Sequence, residues 1–345
     1  MNMSRVGVQY RQHVRRRLTF IGLLALATVL VAGWSLQVGP YPLDWRALWG
    51  REASSTATVV LWHLRVPRIV AALLVGSALA MAGAVMQCVL RNPLASPFTL
   101  GVSQGAMFGA AFVIGVLGVG WGESSGYIGI REPMPVVTGA LTGALLGMGV
   151  ILLLAQTRGL TPEAIVLAGV AMSSLFTAAT TLIQYFTEEE ALVAIVYWTF
   201  GDLGRAGWRE LGWLGGISLV LGMYLLSQRW SLNALESGDE VARSLGVHVT
   251  RVRLFTLLAA GILTAVSVAF VGIIGFVGLI CPHLVRLVIG GDYRFVLPAS
   301  ALMGAFLLLL ADVGARLVIA PEVLPVGVLT SFLGAPMFLY LLSRR

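Results

Sequence analysis

Apolar residues along this chain fall into long blocks separated by short polar or proline-broken turns. A helix needs about 20 such residues to cross a bilayer. Ten blocks qualify, at about 18–36, 69–90, 98–118, 134–157, 163–185, 210–226, 253–271, 273–290, 296–319 and 324–342. The sixth is short, and the seventh and eighth abut at Gly272. The pattern predicts an all-α polytopic membrane protein of about ten spans. Residues 1–17 form an N-terminal tail and residues 18–345 a single transmembrane domain.

The most informative interruption is Gln87–Gly105, QCVLRNPLASPFTLGVSQG, between two Gly/Ala-rich apolar blocks. A helix does not continue comfortably through Pro93 or Pro97, because proline lacks the N–H and clashes with the preceding turn. Broken backbone at membrane depth is tolerated where it is buried in protein or lines a cavity. Such breaks point to a transport path, so this turn reads as part of a pore. A second interruption, Ser227–Arg253, carries charges of both signs with apolar Leu235, Val241 and Leu245, a pattern for short amphipathic helices. The third and fourth are the loops Gln37–Pro67 and Phe186–Trp208, the latter with Glu188, Glu189 and Glu190, where acidic residues suit a solvated helix start. Small residues recur every four positions at Gly101/Gly105/Gly109 and Gly139/Gly143/Gly147, which permits close helix packing. Gly272, Gly275 and Gly278 near Pro282 fit a bend instead.

Composition agrees with the hydropathy. Hydrophobic residues make up 58% and charged residues 11%, against about 25% charged in soluble domains. All 23 basic residues are arginine. A P-loop needs its lysine on the β- and γ-phosphates, so a conventional P-loop ATPase is excluded, as is a lysine Schiff base. Energised work would need a partner. The net charge of +7 could suggest nucleic acid, but its distribution argues against that partner. Arg5, Arg11, Arg15, Arg16 and Arg17 precede the first block, and Arg91, Arg158, Arg229, Arg243, Arg251, Arg253, Arg286, Arg294, Arg344 and Arg345 fall on the same side of a ten-span threading. This is the positive-inside bias and puts both termini in the cytoplasm. Arg15–Arg17 before Leu18–Ala32 also has the shape of a secretory or twin-arginine signal; the many spans that follow favour an uncleaved first span.

Ionisable groups inside spans are functional candidates by default. Asp312 and Arg316 are four apart, so they can pair on one helix face. Glu163 follows Pro162 at a helix start, where the dipole favours it. Arg65 and Arg68 flank Pro67 where the second block begins, positions suited to interfacial anchoring. Cys88 and Cys281 lie in different apolar blocks and read as buried small hydrophobes. His13, His63, His248 and His283 are scattered, so no metal site assembles, and no catalytic constellation or nucleotide-binding glycine loop is present.

Several of these segments carry a resemblance. Leu64-Arg65-Val66-Pro67-Arg68, Gly83-Ala84-Val85-Met86-Gln87 with Asn92-Pro93-Leu94-Ala95, and Ala242-Arg243-Ser244-Leu245-Gly246 occur in that order. They are followed by Gly275-Phe276-Val277-Gly278-Leu279, Pro282-His283 and Arg286. Asp312 to Arg316, Leu324-Pro325-Val326-Gly327 and Gly334-Ala335-Pro336 complete the set. Together they resemble the permease subunits of ATP-binding-cassette importers for iron complexes, haem and cobalamin, the FecCD-type family. Cys281 stands before Pro282 where an aliphatic residue is expected.

The resemblance implies a type II importer permease in the bacterial inner membrane, working as a dimer with a second, identical copy amid membrane lipid. Cofactors are expected in the partners alone: two ATPase subunits use ATP and Mg, and a periplasmic binding protein delivers the cargo. Asn92, Leu94, Thr161 and Pro162 match the family's cytoplasmic gate. Arg65, Arg68 and Arg316 match arginines that receive acidic residues of the binding protein. Residues 233–253 match the coupling-helix region, with Glu236, Asp239, Ala242, Arg243, Leu245 and Gly246 facing the ATPase. Ferric siderophore is the cargo expected on base rate, with haem and cobalamin as alternatives. An ion-coupled secondary transporter would need a relay of membrane carboxylates, and of these only Asp312 is deeply placed. A membrane enzyme would need the missing catalytic cluster.

Overall fold

The computed structural model describes residues 3–39, 55–124, 127–130, 132–320 and 322–343. The fold is helical apart from one hairpin, β1 (Trp121–Ser124) with β2 (Tyr127–Ile130). Ten helices correspond in order to the ten apolar blocks: α1 (Met3–Ser35), α2 (Val66–Val89), α3 (Val102–Ala111), α4 (Pro133–Gln156), α5 (Pro162–Phe186), α7 (Trp208–Ser227), α10 (Val249–Val271), α11 (Val277–Ile289), α12 (Tyr293–Leu317) and α13 (Val326–Ser343). Three more lie between them, α6 (Glu189–Thr199), α8 (Arg229–Glu236) and α9 (Asp239–Ser244), and a further helical stretch, Ser55–Val59 continued by a π-helix over Val60–Arg65, runs directly into α2.

Seven of the described helices are long and apolar enough to cross a membrane. The three shorter apolar helices are Val102–Val116, which extends α3 through a π-helical end, α11, and Val326–Leu339 of α13. Two of them are short because broken backbone precedes them. A 3-10 turn at Pro97–Leu100 and Gly101 at φ +66° come before α3, and Gly272 at φ +82° and Phe276 at φ +66° come before α11. The second break is buried against protein: the Asp202 amide donates to the Val271 carbonyl and Phe200 pairs with Ile273. This is the condition under which irregular backbone survives in a bilayer.

Helix starts follow from their sequences. Pro67, Pro133 and Pro162 sit in first turns, where no N–H is required. Thr161 caps α5 by accepting from the Ala164 amide, and Asp292 caps α12 by accepting from the Arg294 amide. Residues 3–17, expected as a separate tail, are helical and continuous with the first span. The Phe186–Trp208 loop contains α6, with Glu189 and Glu190 in its exposed first turn. Residues 40–54 of the Gln37–Pro67 loop lie outside the described residues.

The chain alternates between two faces. Contacts gather Arg17, Arg91, Leu160, the α8–α9 segment and Asp292 at one face. They gather residues 35–38, Arg65, Arg68, Asp202 and Arg316 at the other. Helix α2 runs between the faces through the centre, and it is lined by glycine and alanine that let neighbouring backbones touch. A Cβ at Gly83 would lie 1.7 Å from the Gly278 carbonyl oxygen of α11, and one at Gly76 would lie 2.3 Å from the Gly304 oxygen of α12. The two glycine stripes seen in the sequence also meet, Gly105 against Gly143 and Gly109 against Gly139, packing α3 on α4.

Pro282 lies inside α11 and leaves the Gly278 carbonyl without its helical donor. Gln87 of α2 supplies one: its Nε2 is 3.5 Å from that oxygen and 3.1 Å from the Leu279 oxygen. Gly83→Ala should therefore lower stability by at least about 2 kcal/mol, because the clash is with rigid backbone. Gly216→Ala, at an exposed α7 glycine with nothing within 4 Å of the added methyl, should raise it by about 0.5–1 kcal/mol. Thermal unfolding of the two variants in one detergent checks this, and equal effects would contradict the packing.

Candidate functional site: charge cluster, gate turns and coupling helix

Asp312 of α12 is fully buried, and two arginines hold it. Arg68 Nε of α2 lies 2.5 Å from its Oδ1, and Arg316 Nη2, one turn further along α12, lies 2.8 Å from its Oδ2. Arg68 also reaches Asp202 Oδ1 at 3.2 Å, in the turn after α6. Arg316 donates from Nη1 to the Ser35 and Val38 carbonyls, at 3.1 and 2.7 Å, and from Nη2 to Ser35 Oγ. Arg65 Nη1 donates to the Leu36 carbonyl at 2.5 Å. Two guanidinium groups thus cap the carbonyl end of α1, where the helix dipole is negative. The expected Asp312–Arg316 pair is present, enlarged by Arg68 and Asp202. Arg65, Arg68 and Arg316 were expected as rim charges; the structure places Arg65 and Arg316 among buried residues, with donors taken up by Asp312 and the end of α1. Nearby Arg205 donates to the Tyr197, Trp198 and Phe200 carbonyls, closing α6, and burial pulls its guanidinium pKa down.

At the other face the turn after α2 is set by Asn92. Its side-chain oxygen accepts from the Leu94 amide at 2.9 Å, and its backbone N–H donates to the Gln87 carbonyl. Leu94 projects outward, 43% exposed. Thr161 and Pro162 begin α5 directly after Gly159 and Leu160, both at positive φ. A single carboxylate links these two turns. Asp239, the first residue of α9, receives Arg91 Nη2 at 2.6 Å and Arg253 Nη2 at 3.0 and 3.1 Å. Arg253, buried at the start of α10, also donates from Nη1 to the Leu160 carbonyl at 3.0 Å.

Of the coupling candidates, Ala242 is buried, while Glu236, Arg243, Leu245 and Gly246 are exposed. Glu236 Oε2 accepts from the Tyr293 hydroxyl at 3.4 Å. Gly246, at φ +82°, ends α9: its N–H donates to the Arg243 carbonyl and that of Val247 to the Ala242 carbonyl. Val241 and Leu245, four apart, turn outward with Leu245 67% exposed.

Asp292 was not singled out from the sequence, although an aspartate after Gly290-Gly291 is a helix-cap signal. It joins three elements by accepting from Arg17 of α1, Asn233 of α8 and Arg294 of α12. Partial burial pushes its carboxyl up, but the bonds from Arg294 and Asn233 outweigh this and hold it at about 2. A cavity of about 400 Å³ beside this network is lined by Gln87, Arg91, Pro93, Glu236, His283 and Arg286, among others. No cluster of His, Cys, Asp or Glu that could hold a metal occurs among the described residues.

A bundle of apolar helices with broken backbone at depth, an exposed turn after α2 and a surface helix tied to that turn fits a polytopic membrane permease. The chain belongs to the FecCD transport family, whose profile matches residues 23–344. It is 56% identical over 341 residues to a chain of Methanocaldococcus jannaschii assigned as an ABC transporter permease, covering 97% of both. It is 38% identical over 327 residues to the hemin transport system permease HmuU of Yersinia pestis, covering 94% of this chain and 95% of that one. It is 39% identical over 337 residues to the vitamin B12 import system permease BtuC of Salmonella arizonae, covering 97% of both. Among solved structures, a transporter assigned to the metal-chelate ABC type and captured inward-facing superposes with a TM-score of 0.81 at 32% identity, over 95% of this chain and all of that one. The protein is a permease subunit of an ABC importer of this family.

Removing Asp312 would leave Arg316 a buried cation without its carboxylate and Arg68 with Asp202 alone. Asp312→Ala should lower stability by about 3–5 kcal/mol, read as a fall in thermal midpoint. A loss no larger than that of Glu190→Ala, at an exposed glutamate, would contradict the cluster.

Proposed function

We propose that this chain forms the membrane path of an ATP-driven importer that carries a ferric siderophore across the bacterial inner membrane. The carrying observation is α9. A surface helix presents Val241 and Leu245 outward, while its first residue is bonded to Arg91 in one turn of the candidate gate and linked to the other through Arg253, which holds the Leu160 carbonyl. Such a helix suits a groove on an ATPase subunit that burns ATP with Mg. The absence of lysine fits a chain that does not bind nucleotide in a P-loop itself.

The face of Arg17, Arg91 and Arg253 is cytoplasmic in this reading, on the positive-inside rule, and so are both termini. Coupling runs through residues 233–253, with Glu236, Asp239, Ala242, Arg243, Leu245 and Gly246 at or beneath the contact. Asn92, Leu94, Thr161 and Pro162 form the cytoplasmic gate with their counterparts in a second, identical copy. The largely exposed face of α5, with Leu167, Leu175 and Leu182, is available to that copy. A periplasmic binding protein docks at the opposite face. For Arg65, Arg68 and Arg316 to receive it, its acidic residues must compete with Asp312 and the α1 carbonyls.

Haem and cobalamin are the alternative cargoes, and the hemin and vitamin B12 permeases among the relatives support keeping both. Uptake of ferric siderophores, haem and cobalamin, each labelled, should be measured in cells lacking the chain and in complemented cells. Loss of ferric siderophore uptake alone, restored by the chain and abolished by an ATPase-dead partner, is the expected result. Loss of another cargo would replace the substrate, and unchanged uptake of all three would remove the cargo class. In the same cells Leu94→Trp should cut uptake with the assembled complex intact, and unchanged uptake would remove Leu94 from the gate.

A further inference from the structure

Three features meet at Asp239, and no single one of them explains the others. First, its carboxylate is shared by two guanidinium groups from separate elements, Arg91 in the turn after α2 and Arg253 at the start of α10. Secondly, Arg253 passes the connection on, because its other nitrogen holds the Leu160 carbonyl immediately before Thr161. Thirdly, the backbone is strained at both ends of this chain of bonds. Arg91 at φ +46° and Leu160 at φ +54° are two of the three non-glycine residues with positive φ among the described residues, and neither is of a type that adopts this region readily. Strain of this kind persists where surrounding bonds over-determine it, and it clusters at switch regions.

We propose that Asp239, Arg91 and Arg253 form an ion-pair latch that converts displacement of α9 into simultaneous movement of both gate turns. The proposal rests on the importer reading above. An ordinary surface ion pair contributes little and transmits nothing in particular. Here Arg253 is nearly buried, so its charge has to follow its carboxylate rather than exchange it for water. A push on α9 moves Asp239, and Asp239 draws the Asn92–Leu94 turn through Arg91 and the Thr161–Pro162 helix start through Arg253 and Leu160. The cavity of about 400 Å³ beside Arg91 gives the first turn room to shift. The three residues are positioning residues: they need not touch cargo or nucleotide.

The test separates transport from hydrolysis. The chain is reconstituted in vesicles with its ATPase and binding-protein partners, and cargo uptake and ATP hydrolysis are measured on the same preparation. Arg91→Gln is the clean variant, because Arg91 is 42% exposed and its loss strands no buried charge. It should lower the cargo moved per ATP hydrolysed about tenfold, with complex assembly and hydrolysis unchanged. Asp239→Asn should lower the same ratio, and Asp239→Glu should restore most of it. If uptake and hydrolysis fall together in Arg91→Gln, or if neither changes, the latch is overturned. If the native chain shows no ATP-dependent uptake with its partners, the importer reading itself fails, and the latch with it.

Discussion

Everything in this fold hangs on α2, whose small residues let two neighbouring backbones touch it. Its glycines and alanines bring its backbone into contact with α12 at Gly76–Gly304 and with α11 at Gly83–Gly278. In a bilayer such close approach replaces the hydrophobic drive that holds soluble helices together. The same helix carries Arg68 at one end, bound to Asp312, and leads into the Arg91–Leu94 turn at the other. The buried charge cluster of one face and the Arg91–Leu94 turn of the opposite face are therefore the two ends of one continuous helix. Gln87 reinforces this by supplying the donor that Pro282 denies to α11.

The two faces use charge differently. At the Arg68 face, a carboxylate with no exposure is enclosed by Arg68 and Arg316, the latter also capping the end of α1, an arrangement whose disruption strands a buried cation. At the Arg91 face, Asp239 and Asp292 each collect donors from separate elements, and Asp239 sits at the start of an exposed helix. One cluster fixes the ends of spans, while the other joins a surface helix to two turns. A permease that takes its energy from a partner needs both a rigid frame and a movable contact.

Hydropathy alone marked ten apolar helices, seven of them long enough to cross a membrane, because bilayer thickness and backbone hydrogen bonding leave few alternatives. It also foresaw short helices in Ser227–Arg253 and the packing role of the glycine stripes. The Asp312–Arg316 pair was visible because helical neighbours lie four residues apart. The rest of the network was not, because its bonds join residues far apart in sequence: Arg68 to Asp312, Arg91 to Asp239, Arg17 to Asp292. No local pattern records such pairs. The burial of Arg65 and Arg316 was missed for the same reason, since their partners are carbonyls at the end of α1. The acidic start of helix α6 was visible in Glu188–Glu190, but its length was not, and the β1–β2 hairpin interrupts the connection to α4.

The claim that energy enters through a partner ATPase is tested most directly by exchanging the driving force. Vesicles holding the chain with its partners should take up cargo when ATP is supplied on the α9 side and stay inactive under a proton or sodium gradient without ATP. Uptake driven by such a gradient in vesicles holding this chain alone would contradict the importer mechanism and make the chain a secondary transporter.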